Sequence, residues 1–80
     1  MFKPENIARL NAEHDRSVAK YGDWSDLDIN AMIDAERYES EEFYNAFFRN
    51  DLHGPHGMIV EALHRANCWL KFVEELERRK

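Results

Sequence analysis

The stretch Met58-Ile59-Val60-Glu61-Ala62-Leu63-His64-Arg65-Ala66-Asn67-Cys68-Trp69-Leu70-Lys71-Phe72-Val73-Glu74-Glu75-Leu76 decides the fold. Met58, Ile59, Ala62, Leu63, Ala66, Trp69, Leu70, Val73 and Leu76 recur at steps of three and four, the spacing that lines one side of an α-helix. Neither glycine nor proline interrupts the run, and Arg78, Arg79 and Lys80 close it with cations at the negative end of the helix dipole. The pattern predicts a helix from near Gly57 onward with a wide apolar face turned to a core. On that reading Glu61, His64 and Cys68 fall roughly 140–160° from the centre of the apolar face, at ~100° per residue. They would then meet solvent in a monomer, unless a second subunit covers them.

Working backwards, His53-Gly54-Pro55-His56-Gly57 packs two glycines and a proline into five residues, which suits a turn between helices. A second helix is expected from about Ser25 to Asn50. Ser25 would cap it, and Asp26 and Asp28 would place negative charge in its first turn. Its stripe is Ile29, Met32, Ile33, Phe43 and Phe47, with Glu36 and Ser40 in the middle of the oily side. A first helix runs from Pro4 to Tyr21, with Ile7, Leu10, His14, Val18 and Tyr21 on one side and Gly22 as its stop. The expected fold is therefore all-α: an antiparallel helical hairpin plus an N-terminal helix, a single helical domain over residues 1–80.

The chain has 80 residues, and a domain of this size buries only ~60% of the surface that its unfolded form exposes. Ten aromatic residues are available for a core or an interface, and a homo-oligomeric helical bundle is expected. The net charge of −5 makes phosphate-backbone binding to nucleic acid a poor match. It suits a cation, a basic protein surface or solubility. A single cysteine, Cys68, excludes an internal disulfide and a multi-cysteine zinc site. No apolar run is long enough for a signal segment or a membrane span, so a cytoplasmic setting is expected.

Several groups could carry chemistry. A carboxylate facing a core, as Glu36 would, needs a cation, a metal or a proton. Its structural alternative is an arginine such as Arg9 or Arg16. Glu39, Glu41 and Glu42 crowd the same two turns, where like charges repel. Glu61-Ala62-Leu63-His64 places a carboxylate and an imidazole three residues apart, able to converge on one ion. A Glu-x-x-His unit also occurs in di-iron carboxylate bundles, so a di-iron or zinc site is a remote alternative. Ser17, Ser25 and Ser40 lie in no nucleophile elbow, and Cys68 beside Trp69 resembles packing more than a poised thiolate.

The stretch Glu13-His14-Asp15-Arg16-Ser17-Val18-Ala19-Lys20-Tyr21-Gly22 resembles the opening "ER-x-RQ-x-x-KWG" of phage-type MazG-like nucleotide pyrophosphohydrolases. In that family an EExxE segment and a later ExxD hold Mg²⁺ for cleavage between the α and β phosphates. Ala35-Glu36-Arg37-Tyr38-Glu39 keeps the second and last acids of the first motif. Glu41-Glu42-Phe43-Tyr44-Asn45 keeps the first two. In both registers Glu61-Ala62-Leu63-His64 follows, with His64 where the aspartate belongs. An imidazole is a poor ligand for Mg²⁺ and a better one for a softer ion such as Mn²⁺.

Two functions follow from the resemblance. In the first and favoured one, catalysis has been lost and the scaffold binds a protein partner, as a phage-type inhibitor or accessory protein would. In the second, the chain is a divalent-metal nucleoside triphosphate pyrophosphohydrolase using Mg²⁺ or Mn²⁺. Glu36, Glu39 and Glu61 would then be ligands, and His64 an added ligand or the group that orients the attacking water.

Overall fold

In the computed structural model, which describes residues 1–25 and 27–79, the chain forms three α-helices: α1 (Pro4–Tyr21), α2 (Ile29–Phe48) and α3 (Met58–Arg78). The expected all-α class is what the molecule adopts. Pro4 opens α1 where a missing N–H costs nothing. The helix stops at Gly22, whose φ of 78° lies in the region that favours glycine and whose amide closes on Val18 O at 2.8 Å.

The second helix begins later than Ser25. Asp28 is its cap, accepting from the Ala31 amide at 2.8 Å, while the Ser25 amide turns back onto Asp23 Oδ1 at 2.9 Å. The charge expected from Asp26 and the terminal cation Lys80 both lie outside the described residues.

The connection from α2 to α3 is organised by Asp51. Its Oδ1 accepts from the Gly54 amide at 2.8 Å, and its carbonyl accepts from the Met58 amide at 2.8 Å. A Cβ on Gly54 would stand 2.5 Å from Asp51 Oδ2, and one on Gly57 would stand 2.7 Å from Gly54 N. Gly57 is therefore required by close backbone approach, whereas a side chain at Gly54 would displace the Asp51 carboxylate that anchors the turn.

Helices α1 and α2 each pack on α3 and not on each other. Glu36 meets Arg65 and Glu39 meets His64, so α2 runs antiparallel to α3 as a hairpin. Glu13 meets His64 and Ser17 meets Lys71, so α1 runs parallel to α3. The apolar core is small: Trp24, Met32, Cys68 and Phe72 form its cluster, with Ala35 against it. Trp24 and Phe72 meet edge to face, their centroids 5.3 Å apart.

The rotation of α3 about its own axis overturns the sequence expectation. Its buried residues are Glu61, Asn67, Cys68, Lys71 and Phe72, the side expected to face solvent in a monomer. Trp69, Leu70, Val73 and Leu76, expected in the core, are each about half exposed, and Ala62 and Ala66 beside them are exposed too. The physical reason lies in the partners. Along the sides facing α3, the other helices present Glu13, His14 and Ser17 from α1 and Glu36 and Glu39 from α2. These groups meet His64, Arg65, Asn67 and Lys71 when the polar side of α3 turns inward. Among the described residues, no helix is long and apolar enough to cross a membrane.

Candidate metal centre

Two helical turns face each other across the hairpin. Glu39 and Glu42 lie three residues apart on α2, and Glu61 and His64 lie three residues apart on α3, so each pair shares a helix face. Because the helices run antiparallel, the two pairs meet. One potential ligand atom from each of the four residues lies within 4.8 Å of all the others.

Glu61 is the centre of the group and is fully buried. Its Oε2 lies 3.2 Å from His64 Nδ1, whereas its Oε1 has no hydrogen-bond partner and stands 3.7 Å from His56 Nδ1. Glu39 Oε2 is likewise buried and without a hydrogen bond, although His64 Nδ1 stands 3.4 Å away. Burial pushes the Glu61 carboxyl above the usual range, and the neighbouring carboxyl of Glu42 adds to the effect. Two orphaned carboxylate oxygens in a buried group of acids are costly, and a divalent cation would satisfy both.

His64 is held from both sides. Its Nδ1 faces Glu61 and Glu39, and its Nε2 lies 3.4 Å from Glu13 Oε1 on α1. The Glu39 carboxylate facing it, reinforced by Glu13 and Glu61, raises the imidazole to about 8 against the opposing effect of burial. Glu13 is in turn fixed by Arg16, whose Nε and Nη2 donate to its two oxygens at 2.9 and 2.6 Å. Burial would raise the Glu13 carboxyl, but the Arg16 hydrogen bond and the His64 charge outweigh it and hold it low. A ligating histidine commonly donates its second ring N–H to a carboxylate, and Glu13 stands where that carboxylate is needed.

Of the residues expected at a metal from the sequence, Glu39, Glu61 and His64 come together and Glu36 does not. Glu36 pairs with Arg65 at 3.4 Å, the charge-partner outcome, although through Arg65 instead of Arg9 or Arg16. Its place is taken by Glu42. The α2 acids that converge, Glu39 and Glu42, are a pair that neither register read from the sequence contains. The available signal was the pairing of two i, i+3 sets, Glu39/Glu42 and Glu61/His64, on helices joined by one turn. Cys68 carries no nucleophile: burial, with Glu39 nearby, pushes its thiol up to about 11.

Beside the group lies a cavity of about 520 Å³ between α1 and α2, floored by α3. Glu39 and His64 stand at its edge, with Tyr21, Tyr38, Arg16 and Lys71 along its walls. No protein-family model, curated protein or solved structure matches the chain.

Proposed function

We propose that the chain binds a divalent cation through Glu39, Glu42, Glu61 and His64 and uses it on a nucleoside triphosphate, as a pyrophosphohydrolase. The observation that carries this reading is the fully buried Glu61 with its unpartnered Oε1, at the meeting point of three other potential ligands. Three carboxylates and an imidazole form a mixed oxygen and nitrogen donor set, which suits Mn²⁺ better than Mg²⁺. When bound, the cation supplies positive charge to a phosphate oxygen. Both ring nitrogens of His64 are engaged, so it fits a ligand or an orienting group and not a free base. Glu13 and Arg16 hold the imidazole in orientation. The adjoining cavity is large enough for a nucleotide and opens beside Tyr21 and Tyr38, whose rings are exposed.

The experiment is calorimetry with Mn²⁺ and Mg²⁺, followed by pyrophosphate release from a panel of ribo- and deoxyribonucleoside triphosphates. Turnover is expected with Mn²⁺, and Glu61→Gln is expected to lower both cation affinity and turnover by at least about 100-fold. Absence of cation binding, or of turnover at high protein concentration, removes the reading.

A second reading concerns assembly and is favoured by the exposed side of α3. Ile59, Ala62, Ala66, Trp69, Val73 and Leu76 alternate at three and four residues, a heptad seam whose small alanines allow close helix approach. The seam is apolar, so it suits a second copy of this chain better than a basic protein surface. This homo-oligomer would bury the apolar area that the small core of one chain lacks.

A further inference from the structure

Among the described residues, Lys71 is the buried cation. It is only 6% exposed, lines the cavity beside the acidic group, and comes from the inward side of α3. Its ammonium donates to Ser17 Oγ at 2.8 Å and lies 5.2 Å from the centre of the Trp24 ring. Among the described residues, no carboxylate comes within ion-pair distance of it. Of the acids lining the same cavity, Glu13 is committed to Arg16, Asp23 to the amide and hydroxyl of Ser25, and Glu39 faces His64 at 3.4 Å. Burial lowers the Lys71 pKa, as expected of an ammonium without a counter-ion.

A buried ammonium is costly unless an anion meets it. Lysine has three N–H donors, of which the hydroxyl of Ser17 takes one. That hydroxyl accepts from Lys71 and retains its own hydrogen to donate. Arg16, on the same wall, is already paired with Glu13, so the uncommitted positive charge of the cavity is that of Lys71.

We propose that Lys71 and Ser17 form an anion anchor in this cavity, gripping a phosphate group of the ligand without the help of the cation. The inference deepens the nucleotide reading above by assigning the phosphate its own protein contacts, and it can survive that reading's failure. The shared chemistry is a phosphate group, carried by a nucleotide or by a free polyphosphate. If the nucleoside is part of the ligand, Tyr21 and Tyr38 at the cavity edge are the rings available to its base.

The test is calorimetry in excess EDTA with inorganic pyrophosphate, adenosine 5′-monophosphate and adenosine. Both phosphorylated probes are expected to bind, and adenosine to bind at least about tenfold more weakly than its monophosphate. Lys71→Met should cost both phosphorylated probes at least about tenfold in affinity, whereas Lys71→Arg should keep them within about threefold. Ser17→Ala supplies a second variant should Lys71→Met fail to fold, and a loss of about threefold is expected from its missing hydroxyl. Tighter binding of the nucleotide identifies a nucleoside carrier and tighter binding of pyrophosphate a free polyphosphate; either supports the anchor. No binding to wild type at about 10 mM probe, or unchanged affinity in folded Lys71→Met or in Ser17→Ala, overturns it. Failure of the pyrophosphohydrolase would show separately, as absent turnover in protein that still binds pyrophosphate through Lys71.

Discussion

The two sides of α3 differ in a way that organises the whole molecule. The inward side carries Glu61, His64, Asn67 and Lys71, each with a polar partner from α1 or from its own helix. The outward side carries Trp69, Leu70, Val73 and Leu76, all about half exposed. A chain folding alone for stability would reverse these, since apolar burial gives about 25 cal/mol per Å² while buried ions return little after desolvation. The arrangement makes sense if the inward side is built for a ligand and the outward side is covered by another helix. On the proposed function, the same helix would serve chemistry on one side and assembly on the other.

The largest effect should come from putting a charge on the outward side. Val73→Glu places a carboxylate in the middle of the apolar seam, and in a homo-oligomer it would be desolvated against another chain. Weakening of self-association by at least about 100-fold, or ~3 kcal/mol, is expected. Sedimentation velocity across a concentration series measures it. Mn²⁺ affinity per folded chain should be unchanged, since Val73 lies on the other side of the helix from Glu61. Wild-type sedimentation by the variant would leave the outward side a free surface and remove the contrast between the two.

Much of this architecture was legible in the residues, and what was not has a physical cause. Pro4, Gly22 and the 53–57 turn are backbone signals, local to a few residues, and they placed the helices within a few positions. The cap of α2 shifted because Ser25 and Asp28 are both good caps, and the competing bond from Ser25 to Asp23 is not visible in periodicity. Hydrophobic periodicity located an apolar stripe on α3 but turned it to the wrong side, because spacing along one helix does not say which residues of the other helices face it. Glu39, Glu61 and His64 were recognisable as residue types at ligand spacing. Glu42 was not selected, because choosing it required the antiparallel register of α2 on α3.

A moderate effect, of opposite sign on either side of a cation titration, is expected at His64 on the inward side. Its folded pKa of about 8 lies above the ordinary value of 6.5. The protonated ring therefore contributes stability that is fully present below pH 6.5 and is lost as pH rises through about 8. The difference amounts to about 1 kcal/mol once partial solvent screening is allowed for. Burial also raises the Glu61 carboxyl, so its ionisation costs stability in the same upward direction of pH. Urea unfolding in EDTA should accordingly show a lower midpoint at pH 8.5 than at pH 6.5. Saturating Mn²⁺ should reverse the trend, because a ligating imidazole must be deprotonated and the cation then replaces the lost proton. Equal midpoints in EDTA would mean that His64 is not held by its three carboxylates.

The smallest effect should be at Glu36, and it tests where the inward site ends. Glu36 was the acid that periodicity placed among oily neighbours, yet it faces Arg65 at 3.4 Å, and both side chains keep some contact with water. Arg65 has other cover: its guanidinium lies 5.8 Å from the Phe43 ring centre and 5.9 Å from that of Tyr44. Glu36→Gln therefore removes a partly solvated ion pair while leaving the cation stacked, and less than about 1 kcal/mol of stability should be lost. Mn²⁺ affinity should change by less than about twofold, because Glu36 lies outside the four converging groups. Glu42→Gln should instead weaken Mn²⁺ binding by at least about tenfold, with little cost to the apo fold, since one of three crowded acids has gone. Should Glu36→Gln prove the more damaging of the two for Mn²⁺, the ion sits nearer the first turns of α2, and the boundary drawn between Glu36 and the Glu39–Glu42 pair is misplaced.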